Sequence, residues 1–260
     1  MRNTILMLAA LSGAAAGTAL AKIKTETVQY KEGNTVLEGY LAYDDSVPGK
    51  RPGVLVCHEW WGLVDYPKRR AEMLAQLGYV AFAPDIFGKG ITAKTPDEAR
   101  TLAGSFYNDR ASLRRRANAG LDVLKNHPLV DTKRIAAIGF CFGGSTALEL
   151  ARSGADIAGV VSFHGGLSTA DPDDGKNIKA KILICTGADD QSVKTDAIAA
   201  FEDEMRKGNV DYEITIYGGA VHGFTNPANS GSQMSNIRYN ADADKRSWQA
   251  MQDFFKEIFK

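Results

Sequence analysis

The sequence predicts an α/β fold, a mostly parallel sheet flanked by helices on both faces. Short β-type runs alternate with longer helical ones along most of the 260 residues, the order that a sheet with crossover helices requires. Most of those short runs are apolar throughout, as strands covered on both faces should be. With 44% hydrophobic and 24% charged residues, the composition is that of a folded globular chain long enough to bury one large core.

The elements follow in order. Thr27 to Tyr30 and Val36 to Ala42 read as two strands of an antiparallel hairpin around the turn Glu32-Gly33-Asn34. The runs 53–57, 79–83, 135–139, 157–163, 181–186 and 212–217 read as the remaining strands. Between them, 66–77 carries Ala71, Leu74 and Ala75 and stops at Gly78, a C-cap residue. Residues 110–125 repeat apolar positions at Leu113, Ala117, Leu121 and Leu124, a helical spacing. Further helices are expected over 143–152, 196–207 and 242–259. No repeat, low-complexity tract or linker interrupts the pattern, so residues 22–260 read as a single domain.

Residues 1–21 read as a signal peptide. Arg2 precedes the apolar run Thr4 to Leu11, small residues follow, and Ala19-Leu20-Ala21 offers an A-x-A cleavage site. Export to the periplasm or the medium is the expectation, with no membrane attachment after cleavage. Lysine plus arginine and aspartate plus glutamate both number 31. That balance gives no electrostatic reason to expect nucleic acid or an anionic membrane as partner. A small-molecule ligand is expected. Three cysteines are an odd number for an exported chain. Cys57 and Cys185 each end an apolar run and read as small core residues, with a Cys57–Cys185 disulfide left open.

Cys141 stands apart. Ile135 to Gly139 is an apolar strand, followed by Phe140-Cys141-Phe142-Gly143-Gly144 and a helix. Strand, G-x-C-x-G and helix form the nucleophile-elbow pattern of α/β-hydrolases, with cysteine in the serine position. The nucleophile of such a turn sits in a strained backbone, and its neighbours two residues away must be nearly free of side chain. The helix N-terminus beyond it favours a thiolate and a developing oxyanion alike.

That fold calls for an acid after a later strand and a histidine after the last one. Asp189-Asp190 follows the 181–186 strand, and His222 follows the 212–217 strand. The motif alone leaves Asp189 and Asp190 both open. After the first parallel strand, Cys57-His58-Glu59-Trp60-Trp61-Gly62 should face the nucleophile, and the backbone N–H groups of Trp60 and Phe142 are the expected oxyanion donors. Trp61 and Phe224 are candidate substrate contacts. His58 and His164 each follow a strand and can line the site, whereas His127 reads as an exposed loop residue. No spacing suggests a metal site, and no cofactor is expected.

Together these segments resemble the dienelactone hydrolase family over nearly all of residues 22–260. The resemblance rests on His58 to Gly62, Ala83 to Gly88, Gly139 to Gly144, Gly187 to Val193, His222-Gly223-Phe224, and the closing stretch with Trp248 and Phe254-Phe255. It implies a Cys141–His222–Asp190 triad, the acid being fixed by the family's D-x-x-V pattern, and a glutamate, Glu59, that controls thiolate formation at Cys141. It also implies an arginine two residues after Phe224 to hold a substrate carboxylate; this chain has Asn226 there. A second substrate arginine would come from Arg110, Arg114, Arg115 or Arg116. The expected activity is hydrolysis of small carboxylic esters or lactones through an acyl-thioester. A thioesterase or acyltransferase, and a non-catalytic binding protein on the same fold, are the alternatives.

Overall fold

The computed structural model describes residues 22–260; the segment read as a signal peptide lies outside the described residues. The chain runs β1 (Ile23–Glu32), β2 (Thr35–Asp44), β3 (Arg51–Cys57), α1 (Asp65–Gln76), β4 (Val80–Ala83), α2 (Pro96–Asn108), α3 (Arg110–Lys125), β5 (Val130–Phe140), α4 (Phe142–Arg152), β6 (Gly159–Phe163), β7 (Lys181–Gly187), α5 (Thr195–Gly208), β8 (Tyr212–Tyr217) and α6 (Ala241–Ile258). The strands form one eight-stranded sheet in the order β1-β2-β4-β3-β5-β6-β7-β8. β1 and β2 are antiparallel to each other, β2 is antiparallel to β4, and the rest are parallel. This is the α/β-hydrolase arrangement that the sequence predicts.

Alternation along the central strands divides the core. Leu55 and Cys57 of β3 and Ile135 and Ala137 of β5 face one side, where Leu121 of α3, Ala147 of α4 and Phe201 of α5 cover them. Val54, Val56, Ala136, Ile138 and Phe140 face the other, against Ala71 and Leu74 of α1 and Met251 and Phe255 of α6. Each side chain leaves water on its own face, which is why these strands read as continuous apolar runs.

The order of the strands positions the site. From β3 the chain passes outward through α1 to β4, then returns across β3 to place β5 on the opposite side. The direction of winding therefore reverses between β3 and β5. At such a switch point the loops leaving the two strands splay apart and open a crevice at their carboxyl ends. Those loops begin at His58 and Cys141.

Two differences from the sequence reading have clear causes. Helix α2 is absent from it because Thr92 to Asn108 is mostly polar or small, yet a capping signal was present. Thr95 accepts a hydrogen bond from the Glu98 N–H at 3.2 Å, and Pro96 occupies the first turn. The disulfide left open does not form: Cys57 and Cys185 are free. They end β3 and β7, three strand positions apart, or about 14 Å at normal strand spacing. A disulfide tolerates only about 7 Å between Cα atoms.

Beneath α4 lies a charge cluster with no sequence signature. Arg152, fully buried, forms a fork with Glu204 at 2.8 and 2.7 Å. It also donates to Glu149 at 3.1 Å and to the Leu167 carbonyl at 2.9 Å. Arg114 donates to the other oxygen of Glu149 at 2.8 Å. With its donors satisfied, the guanidinium tolerates burial; stripped of one partner it would not.

Glu204→Ala is therefore expected to destabilise the protein by about 3–5 kcal/mol in urea unfolding, and the Arg152→Met, Glu204→Leu pair by much less. Burial pushes the Cys57 and Cys185 thiols up to about 12, so both stay protonated near neutrality. Iodoacetamide is expected to label the native protein once, at Cys141, and all three cysteines after denaturation, as counted by mass spectrometry.

Candidate active site

Cys141 occupies the junction of β5 and α4 with φ 55° and ψ −117°, a conformation that side-chain-bearing residues rarely adopt. The glycines around it allow backbone to pass against backbone. A Cβ on Gly139 would collide with the Gly143 carbonyl, and one on Gly143 with the carbonyl of Cys57. The turn is pinned from behind, because the Cys141 N–H donates to the Phe163 carbonyl at 3.0 Å. It also donates to His164 Nδ1 at 3.2 Å.

Asp190 and His222 meet in the neighbouring loops. His222 Nδ1 donates to Asp190 Oδ2 at 3.0 Å, while Asp190 Oδ1 accepts the Ser192 N–H at 2.8 Å. Asp190 is buried and Asp189 exposed, so only the second of the adjacent acids can orient a ring. The Nδ1 bond fixes the imidazole and turns Nε2 toward the cleft that Cys141 shares. Burial alone would lower the His222 pKa. The charge of Cys141, hydrogen bonds to Asp190 and Cys141, and the Asp190 carboxylate outweigh it and hold the pKa well above the usual histidine value. An imidazole with that surplus of proton affinity can take a proton from a thiol and keep it until a leaving group needs it.

The loop after β3 forms the facing wall. Trp60 and Trp61 stand edge to face, ring centroids 5.3 Å apart, and both line the cleft with Glu59, Met234 and Ile237. Among the described residues, neither the Trp60 N–H nor the Phe142 N–H has a hydrogen-bond acceptor. Glu59 is buried, and its Oε2 accepts from Asn226 Nδ2 at 2.7 Å. Burial raises its pKa above the ordinary carboxylate range, while the Asn226 bond and the charges of His222 and Arg70 oppose the rise. Among the described residues, no three or more His, Cys, Asp or Glu side chains form a group that could hold a metal ion.

His58 and His164 do not face the cleft; both are fully buried and act as braces. Ile86 N–H donates to His58 Nε2 at 3.3 Å, so Nδ1 carries the proton and donates to the Glu59 carbonyl at 2.7 Å. His164 has the opposite tautomer. Its Nδ1 accepts from Cys141, so Nε2–H donates to Thr225 Oγ1 at 2.8 Å. Thr225 in turn meets the Tyr66 hydroxyl at 2.6 Å, and Arg70 ties Tyr66 to the Thr225 carbonyl and Asp244. One neutral imidazole thus steadies each wall of the site.

Three expectations are corrected. Phe224 makes no wall of the cleft: it is fully buried against Tyr217 and His164, because the backbone turns at Gly223 (φ 67°) and directs it into the core beneath His222. His127 is half-buried against the Tyr43 ring at 5.4 Å, not exposed. Arg114, Arg115 and Arg116 are engaged with Glu149, Asp174 and Glu32, away from the cleft. Arg110 lies over the Tyr107 ring at 4.7 Å and approaches Glu149.

The sequence reading also missed Tyr107. It comes from α2, packs edge-on against Phe142 at 5.5 Å, and bonds Ser145 Oγ at 3.3 Å. Its helix carried the capping signal that would have drawn attention to it.

The braces make acid stability testable. Burial, then the charges of His222 and Arg70, hold the His164 pKa well below the usual value. The folded chain therefore refuses a proton that the unfolded chain accepts below about pH 6.5. Stability contributed by His164 is complete above that pH and is lost on acidification. His164→Asn, a residue that tolerates positive φ, is expected to lower the pH slope of unfolding free energy below pH 6.5 by about one proton, or roughly 1.4 kcal/mol per pH unit. Urea titrations at a series of pH values read this directly.

Comparison with known proteins agrees with the fold. The model of the dienelactone hydrolase family matches residues 37–259. A putative carboxymethylenebutenolidase of Aquifex aeolicus is 27% identical over 90% of this chain and 99% of its own length. A probable 2-oxo-3-(5-oxofuran-2-ylidene)propanoate lactonase of Bradyrhizobium is 32% identical over 72% of this chain and 79% of its own. Among solved structures, a protein described as m3DLH superposes with a TM-score of 0.89 at 43% identity, covering 92% of this chain and 99% of its own. A dienelactone hydrolase-like promiscuous phosphotriesterase from metagenomic libraries gives 0.86 at 42% identity, over 91% and 98%. With the fold, the strand-end loops and a family match across most of its length, the chain belongs to the dienelactone hydrolase family of α/β-hydrolases.

Proposed function

We propose that this hydrolase cleaves small carboxylic esters or lactones with Cys141 as nucleophile, His222 as proton carrier and Asp190 as the group that orients it. The observation that carries the reading is the Asp190–His222 bond at 3.0 Å, with His222 and the strained Cys141 in one cleft. The names of the relatives, a butenolidase and a lactonase, favour the same bond type.

The Cys141 thiol gives its proton to His222, and the thiolate adds to the ester carbonyl. The oxyanion forms toward the N–H groups of Trp60 and Phe142, which no acceptor among the described residues claims. The tetrahedral species collapses, the C–O bond breaks, and the imidazolium protonates the departing alkoxide. His222 then takes a proton from water as the hydroxide adds to the acyl-thioester. Collapse releases the acid and returns the proton to sulfur. Glu59, on the cleft wall, tunes the first of these transfers through its charge. Trp61 packs against the substrate.

A second reading has a specific support. The phosphotriesterase relative at 42% identity suggests that the same thiolate could displace an aryl alcohol from phosphorus. We further propose that the mature protein begins after Ala21 and acts outside the cytoplasm, on the charge, apolar and small-residue order of 1–21; N-terminal sequencing of the expressed protein checks this.

Cys141→Ala is expected to abolish turnover of p-nitrophenyl acetate, at least about 10³-fold in kcat/KM, and Cys141→Ser to retain little. Rapid-quench mass spectrometry of the wild type should show one acyl group on Cys141. Full activity in Cys141→Ala would overturn the assignment. Parallel assays with a thioester, an amine acceptor and an aryl phosphotriester separate the competing chemistries.

A further inference from the structure

Asn226 is fixed in a way that neither packing nor the proton transfers above explain. It stands at the start of the 3₁₀ turn Pro227–Gly231, where its Oδ1 accepts the Ala228 N–H at 3.0 Å. The amide can therefore point only one way, and its Nδ2 donates to Glu59 Oε2 at 2.7 Å. Asn226 and Glu59 are 7% and 4% exposed. A buried carboxyl on the wall of a reactive cleft is thus given one short bond to an uncharged donor.

Among the described residues, no cation bonds to the Glu59 carboxyl. Arg70 contributes charge from a distance, but its guanidinium is spent on the Thr225 carbonyl, Asp244 and Tyr66. His222 is bonded to Asp190. The rest of the cleft wall is Trp60, Trp61, Met234 and Ile237, with the Asn229 amide turned to the Gly223 carbonyl. Among the described residues, no lysine or arginine lines it. An anionic group on a ligand would leave water here, find His222 as the one cation among the described residues of the cleft wall, already paired with Asp190, and face a carboxylate wherever Glu59 is ionised.

We propose that Asn226 is a positioning residue that keeps Glu59 in the cleft wall with a neutral partner, and that the cleft consequently selects uncharged esters over those bearing a carboxylate. This rests on the ester-hydrolase reading and narrows it: the acyl and alcohol parts of the substrate carry no ionised group. The butenolidase and lactonase relatives then differ from this chain in what they admit, while the reaction is shared.

The experiment compares p-nitrophenyl methyl succinate with p-nitrophenyl hydrogen succinate, acyl groups of similar shape that differ by one charge. The ratio of their kcat/KM values is followed from pH 6 to 9 for the wild type, Glu59→Gln and Asn226→Asp. Cys141 and His222 carry the catalytic steps for both esters, so that role cancels in the ratio, and any charge they set beside the carboxylate is common to the wild type and both variants. Arg70 and Asp190 are likewise common to the wild type and both variants.

The wild type should favour the neutral ester by at least about 30-fold where Glu59 is ionised, since like charges brought together out of water repel strongly. Glu59→Gln should lower the ratio at least about tenfold and flatten its pH dependence, whatever the absolute rates. Asn226→Asp, which keeps the bond to Ala228 but sets a second acid against Glu59, should raise it. A wild-type ratio near one, or a ratio that neither variant moves, overturns the charge selection and leaves ester hydrolysis standing. If wild type turns over neither ester, the hydrolytic reading falls first and the selection falls with it.

Discussion

The backbone of Cys141 is the constraint on which the rest depends. At φ 55° and ψ −117° the residue lifts its sulfur above the end of β5 and starts a helix in the next step. That sharp turn is possible only if α4 passes almost in contact with β5 and β3. The carbonyls of Gly143 and Cys57 occupy the space where side chains on Gly139 and Gly143 would stand. Strain of this kind persists only where the surroundings over-determine it. Here a parallel sheet holds it on both sides, through β3 and β6, and a paired backbone N–H holds it from behind.

Two buried imidazoles carry that rigidity outward. His58 ties the Glu59 loop to Ile86, and His164 ties the Cys141 turn to Thr225, Tyr66 and, through Arg70, to α6. Each uses one ring nitrogen as donor and the other as acceptor, which only the neutral ring can do. The two loops that face each other across the cleft are therefore set by hydrogen bonds made beneath them. His222, with an identical side chain, has the opposite electrostatics because Cys141 and the Asp190 carboxylate face it.

The acids of the site divide in the same way. Asp190 is buried, and its two oxygens accept a backbone N–H and the His222 ring. Glu59 is buried with one neutral amide, and its environment resists charge. Two carboxyls within one site thus meet different donors, an imidazole and a backbone N–H for one and a neutral amide for the other.

Much of this was legible in the sequence. Continuous apolar runs alternating with helical ones specify a parallel sheet, because strands buried on both faces have no polar positions to spare. The glycines flanking Cys141 mark a turn where backbone must touch backbone, and the order of Cys141, the 189–190 acids and His222 along the chain fits loops at one end of that sheet. Helix α2 was legible too, in Thr95-Pro96-Asp97-Glu98, and was passed over for want of an apolar stripe. What the chain order could not contain is which side chains lose water. Asp189 and Asp190 are chemically alike until one is buried; Phe224 reads as a substrate contact until Gly223 turns it inward. His58, His164 and Asn226 become braces only through partners 20 to 170 residues away. Local pattern follows from covalent geometry and solubility, which each segment carries in itself. Burial and pairing belong to the packed whole, and they decided which side chains around the cleft lose water and which tautomers the two buried braces take.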